Sequence, residues 1–193
     1  LEVPAKDFHV DLDGLLAATD VNTRLIYITN PNNPTGELAD QPLLLKILDK
    51  CRSCGVLLVL DECFLDFLPK PHKYEMAGAR GAYPNLLLIK AFTKIFCMPG
   101  LRLGYGISSD KGLLSRMTDV IQPWNVSVLA QACGVAALKD CKEYLEKTRD
   151  YVEKEKRGLN RSAVWQRLPP CSDPRPTTSS FRQKKGFMRR RLR

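Results

Sequence analysis

The chain has 193 residues, 44% of them apolar and 8% aromatic, enough to fill one globular core of ordinary domain size. No window holds 18 consecutive apolar residues, and the start, Leu1-Glu2-Val3-Pro4-Ala5-Lys6-Asp7, has neither an initiator Met nor a charged-then-apolar leader. Neither a membrane span nor a secretory signal is therefore expected. The net charge of +9 sits at one end: residues 1–155 hold 18 Lys/Arg against 20 Asp/Glu, whereas residues 156–193 hold 12 Lys/Arg against Asp173 alone. A polyanion is attracted to a local patch rather than to a chain average, so the basicity says nothing about the main body.

In chain order, Leu25-Ile26-Tyr27-Ile28-Thr29 reads as a strand, followed by the loop Asn30-Pro31-Asn32-Asn33-Pro34-Thr35-Gly36. Asp40 offers an N-cap to a helix that carries Leu43, Leu44, Ile47 and Leu48 on one face and stops at Gly55. Val56 to Leu60 is the next strand, apolar on both faces as a central strand covered from each side should be. Leu86 to Ile89 makes a third strand and Leu103 to Ile107 a fourth, each preceded by turn-forming residues. Helices follow over Asp110–Val120 and Val126–Tyr151, broken near Gln122-Pro123-Trp124, and the alternating charges of Lys142 to Glu155 read as a solvated helix. Strand and helix alternate, so the expected fold class is α/β: a mostly parallel sheet flanked by helices.

Beyond Gly158 the chain is rich in Arg and Lys, carries Pro169, Pro170, Pro174 and Pro176, and has no sustained apolar period. Residues 1–157 are thus expected to form the domain, and 158–193 a basic tail that is disordered or non-native. The seven cysteines are scattered through strands and helices, which fits a reducing cytoplasm rather than a disulfide framework. Cys51 and Cys54 have no second pair to complete a zinc site, and no metal is expected.

Three polar clusters fall at or just after the C-terminal ends of the predicted strands, where open parallel sheets place their ligands. These are Asn33 in its Pro-rich loop, Asp61-Glu62, and Lys94 with Arg102. A carboxylate that follows an apolar run is partly desolvated and costly without a cation, so a positive group is expected to face Asp61. Taken singly, each cluster has a plain structural role as a turn, a helix start or one more surface charge.

Together and in this order, the segments Asn30–Gly36, Asp61–Phe67 and Ala91–Tyr105 resemble the class I/II aminotransferases, pyridoxal-phosphate enzymes of fold type I. Within that family they are closest in pattern to the branch of histidinol-phosphate aminotransferase and threonine-phosphate decarboxylase. The densest motif is Thr93-Lys94-Ile95-Phe96-Cys97-Met98-Pro99-Gly100-Leu101-Arg102-Leu103-Gly104-Tyr105. The resemblance implies pyridoxal 5'-phosphate as cofactor, Lys94 as the lysine that forms a Schiff base with it and then shuttles a proton, and Asp61 as the partner of the pyridinium nitrogen. By the same resemblance Arg102 and Thr93 meet the cofactor phosphate, and Asn33 meets the phenolic oxygen, with a cis peptide expected before Pro34.

The residue types suit those duties. A desolvated lysine amine can become neutral and nucleophilic whereas a guanidinium cannot, and the arginine fork suits a phosphate. Phe64 stands in the cofactor shell where many members carry Tyr, and Ala91 where Ser or Thr is common, so two hydroxyls are missing and looser retention of the cofactor is expected. The resemblance covers residues 1 to about 155, nearly half a family member. An upstream phosphate loop, a ring-stacking aromatic and a C-terminal carboxylate-binding arginine are not found.

The chain is therefore expected to be a large-domain piece that does not turn over an amino-acid substrate unaided, from a family that pairs as homodimers. The competing expectation is a catalytically silent piece that acts as a binding or scaffold element and meets polyanions, nucleic acid included, through its tail. A nucleotide-binding βαβ domain is disfavoured because neither Gly-x-Gly-x-x-Gly nor a phosphate-loop Gly-Lys-Ser/Thr run occurs.

Overall fold

The computed structural model describes residues 11–139 and 141–161. The helix α1 (Leu12–Ala18) leads into the strand β1 (Leu25–Thr29), the helix α2 (Gln41–Cys54) and the strand β2 (Leu57–Asp61). Three short 3-10 turns, Leu65–Phe67, Pro71–Lys73 and Ala77–Gly81, then lead to β3 (Leu86–Ala91) and the one-turn helix α3 (Phe92–Ile95). A further 3-10 turn, Pro99–Leu101, precedes β4 (Gly104–Ile107), and α4 (Lys111–Val120), α5 (Val128–Lys139) and α6 (Cys141–Arg161) complete the described chain.

The four strands form one sheet in the order β1-β2-β3-β4. The first three are parallel and β4 runs antiparallel to β3, so the mostly parallel α/β sheet expected from the sequence is what forms. The register sets Thr29 beside Asp61 and Asp61 beside Ile89, which brings the C-terminal ends of β1 and β2 level, with β3 running two residues further to Ala91. β2 is shifted one residue from expectation and includes Asp61 as its last member.

Side chains at i and i+2 share a face of a strand, so Ile26, Leu58, Leu60, Leu86 and Leu88 point together into the core with Leu44, Ile47, Leu48 and Cys51 of α2. Each such aliphatic side chain contributes about 1.5–3 kcal/mol on full burial. The helix α2 is fixed at both ends: the Asp40 carboxylate accepts from Leu43 N, and Gly55, at φ 70°, closes the C-terminus in the left-handed conformation. The opposite face of the sheet is covered at Val59 and Leu87 but open at β1, where Leu25 and Tyr27 are exposed.

The break between α4 and α5 falls where the Gln122-Pro123-Trp124 signal placed it, and Trp124 takes a positive φ of 63°. Beyond it the described residues are helical over α5 and α6, the latter running through Gly158 to Arg161. The remainder of the basic tail lies outside the described residues. Among the described residues no helix is long and apolar enough to cross a membrane, and no group of three potential metal ligands forms.

Candidate active site

Asp61 closes β2 and is half-buried. One carboxylate oxygen, Oδ1, accepts from the backbone N of Cys63 at 2.9 Å, and the other, Oδ2, accepts from the hydroxyl of Tyr27 at 2.7 Å. The expectation that a cation faces Asp61 is corrected here, because among the described residues no basic side chain pairs with it. The cation belongs to its neighbour. Glu62 is fully buried; its Oε1 accepts from Met76 N at 2.9 Å, and its Oε2 lies 3.3 Å from Lys90 Nζ. Lys90 also lies 3.3 Å from Glu75 and 3.7 Å from Asp66.

The physical reason is strand parity. Lys90 shares a face of β3 with Leu86 and Leu88, so its stem enters the core and its ammonium emerges where the turns after β2 converge. Burial pushes the Glu62 carboxyl above its ordinary value, opposed by the Met76 amide and Lys90. Burial alone would lower Lys90, but Asp66, Glu62 and Glu75 outweigh it and hold the ammonium above the ordinary lysine value. Burial and the adjacent Asp61 together push the Cys63 thiol up to about 12.

The loop after β1 is stapled by two asparagines other than the one singled out from sequence. Asn30 is buried, donating to Ala39 O at 3.0 Å and accepting from Ala39 N at 2.9 Å. Asn32 accepts from Thr29 at 2.6 Å and donates to Thr35 at 2.7 Å. Asn33 is left exposed at the loop tip, with no hydrogen bond from its amide among the described residues. Both Asn30–Pro31 and Asn33–Pro34 are cis, where only the second was expected.

Lys94 follows β3 on α3, whose Phe92 and Ile95 are buried and whose Lys94 is exposed and without an ionic or hydrogen-bonded partner among the described residues. Thr93 is half-buried beside it. Pairing of Ala91 with Gly104 folds the chain back so that Arg102 enters the same edge from the opposite direction. There Arg102, at φ 54°, donates from Nη1 to Pro99 O at 3.0 Å. Thr93 and Arg102 line an open cavity of about 380 Å³ floored by Leu87, Ile89, Ala91, Leu103 and Gly104.

The helix α6, expected to be merely solvated, packs its inner side on this edge. The Tyr144 hydroxyl donates to Ile95 O at 3.0 Å while its ring stacks on Phe96 at 5.6 Å, and Arg149 Nε donates to Asp66 O at 2.8 Å. It thereby ties the Lys94 turn to the turn after Asp61. Phe64, in that latter turn, contacts Phe67 at 6.2 Å between ring centroids. The described residues thus place Asp61 at the end of β2, Thr93 and Lys94 on α3, and Asn33, Phe64 and Arg102 on the turns at the same end of the sheet. Glu62, named from sequence only beside Asp61, supports that edge together with Tyr27, Lys90, Tyr144 and Arg149, which were not singled out from sequence. Of these, Lys90 left a trace: it ends an apolar run in phase with Leu86 and Leu88.

The sequence pattern described as "Aminotransferase class I and II" matches residues 2–172. The chain belongs to that family. It is 42% identical over 148 residues to histidinol-phosphate aminotransferase 2 of Ralstonia nicotianae, covering 77% of this chain and 39% of that protein. It is 39% identical over 128 residues to threonine-phosphate decarboxylase of Salmonella typhimurium, covering 66% of this chain and 35% of that protein. Among solved structures, the histidinol-phosphate aminotransferase of Clostridium acetobutylicum superposes with a TM-score of 0.74 at 28% identity, covering 80% of this chain and 45% of the other. That of Sinorhizobium meliloti, solved in complex with pyridoxal 5'-phosphate, gives 0.72 at 27% identity, covering 89% and 46%. As an aminotransferase-family chain it therefore spans roughly two fifths of the curated relatives cited, and the family match runs past the compositional boundary at residue 158.

Proposed function

We propose that this chain supplies the cofactor-binding part of a pyridoxal-phosphate-dependent enzyme that transaminates or decarboxylates an amino-acid substrate. The observation that carries this reading is the state of the polar groups at the sheet edge. Among the described residues, a carboxylate with no cationic partner, an exposed lysine with no partner, an unengaged asparagine amide, and a Thr/Arg pair on a cavity are four groups offered outward at the strand ends. That donor set fits the chemistry of pyridoxal phosphate: Asp61 for the ring nitrogen, Lys94 for the aldehyde, Asn33 for the phenolic oxygen, and Arg102 with Thr93 for the phosphate. When bound, the cofactor supplies an electron sink for charge left at the substrate α-carbon.

Asp61 would hold a proton on the ring nitrogen, each pKa unit of that support being about 1.4 kcal/mol. Lys94 would anchor the cofactor and, once released by the incoming amine, hold and move the proton at the substrate α-carbon. Arg102 offers charge-assisted donors, and each such bond contributes roughly 1.5–3 kcal/mol. The names of both curated relatives contain a phosphorylated substrate, which supports histidinol phosphate or threonine phosphate as the class to try first.

An exposed apolar row over Val120, Ile121, Trp124, Val128 and Leu129 supports a homodimer as the working assembly. The six cysteines among the described residues are free, which supports a reducing cytoplasm. Borohydride reduction of the chain with pyridoxal phosphate, followed by peptide mass mapping, tests the reading. Pyridoxyl on Lys94 is expected, and modification of another lysine in its place overturns the assignment.

A further inference from the structure

We infer that Tyr27 is a positioning residue for Asp61, its hydroxyl holding one oxygen of the carboxylate so that the group is presented at the sheet edge in a fixed orientation. This rests on the reading of Asp61 given above. The parallel register pairs Thr29 with Asp61 and Tyr27 with Val59, which makes Tyr27 the diagonal neighbour of Asp61 on the same face. A side chain of tyrosine length reaches across that diagonal, and its hydroxyl donates to Oδ2 at 2.7 Å. Thr29, directly opposite, is engaged elsewhere by its 2.6 Å bond to Asn32. With Cys63 N donating to Oδ1, each oxygen of Asp61 has a donor.

The chemical type of the donor matters. A lysine or arginine at this distance would neutralise Asp61, whereas a phenol orients the carboxylate, leaves its charge in place, and leaves each oxygen able to accept a further bond. Burial and Asp61 push the phenol of Tyr27 up to about 12, so it remains a neutral donor through the physiological range. Packing does not explain the residue, since Tyr27 is 53% exposed on an edge strand.

The test is a double-mutant cycle of Tyr27→Phe and Asp61→Ala, reading the pyridoxal phosphate dissociation constant and the pH dependence of the bound cofactor's absorbance, with thermal midpoints as a folding control. Tyr27→Phe is expected to weaken cofactor binding about threefold to tenfold and to shift the absorbance pH profile in the parent background. It is expected to do neither when Asp61 is already alanine. Equal effects in both backgrounds, or none in either, overturn the inference. Without cofactor, ultraviolet titration of the six tyrosines is expected to show one phenol titrating lower in Asp61→Ala, and an unchanged curve overturns the contact itself. A parent chain that gives no Lys94-dependent cofactor band while this phenol shift is present overturns the reading of the site, and the inference with it.

Discussion

The ammonium of Lys90 lies 3.3 Å from Oε2 of the fully buried Glu62, tying the penultimate residue of β3 to the residue that follows β2. Removing one member of such a pair strands the other, so Lys90→Met is expected to destabilise the fold by about 3–5 kcal/mol. Replacing both, as Lys90→Met with Glu62→Leu, should cost far less, and urea unfolding of the single and double variants checks this.

The same pair sets a pH dependence. Burial raises the affinity of Glu62 for a proton in the folded chain, so its contribution favours folding at low pH and falls as pH rises from the ordinary carboxylate range through the raised value. Lys90, also raised, gives stability that persists through neutral pH and is lost only as pH climbs through its folded value, above the ordinary lysine range. Without Lys90 the penalty on ionised Glu62 grows. Urea midpoints of Lys90→Met are therefore expected to fall further below those of the parent at pH 8 than at pH 5.

Lys94, four residues on, should behave oppositely. It is exposed and has no partner among the described residues, so Lys94→Ala is expected to change stability by less than about 0.5 kcal/mol while abolishing borohydride-trapped cofactor. Equilibrium unfolding and mass mapping on one preparation separate the two lysines.

Asn30 holds both the N–H and the C=O of Ala39, and both bonds are buried. Asn30→Ala leaves these groups without partners and is expected to cost about 2–3 kcal/mol. Amide exchange at Ala39 should accelerate along with it, since that amide loses its acceptor.

Much of this arrangement was legible in the sequence for local reasons. The cap residues Asp40 and Gly55 bound α2 because each satisfies groups that the helix end leaves open, and the continuous apolar run to Leu60 marks a strand covered on both faces. The family motif marked Lys94, Asp61 and Arg102, and the strand order explains why they share an edge. Where the acidic burial fell was less legible: strand ends read from sequence carry an uncertainty of a residue, and a shift of one moves alternate side chains between faces. Hence a positive group was expected to face Asp61, whereas the buried cation, Lys90, pairs with Glu62. Tyr144 and Arg149 were hidden for another reason: a run of charges gives the same pattern whether its inner side meets water or a neighbouring turn.

The level endings of β1 and β2 also bear on how such a chain tolerates change. Deleting one residue within β2 would withdraw its terminal acid by about 3.3 Å and reverse the side on which it projects, whereas lengthening a connection at the far end of the sheet alters neither. Insertions and deletions in descendants of this sequence should therefore accumulate at the end remote from Asp61, leaving the spacing within each strand untouched.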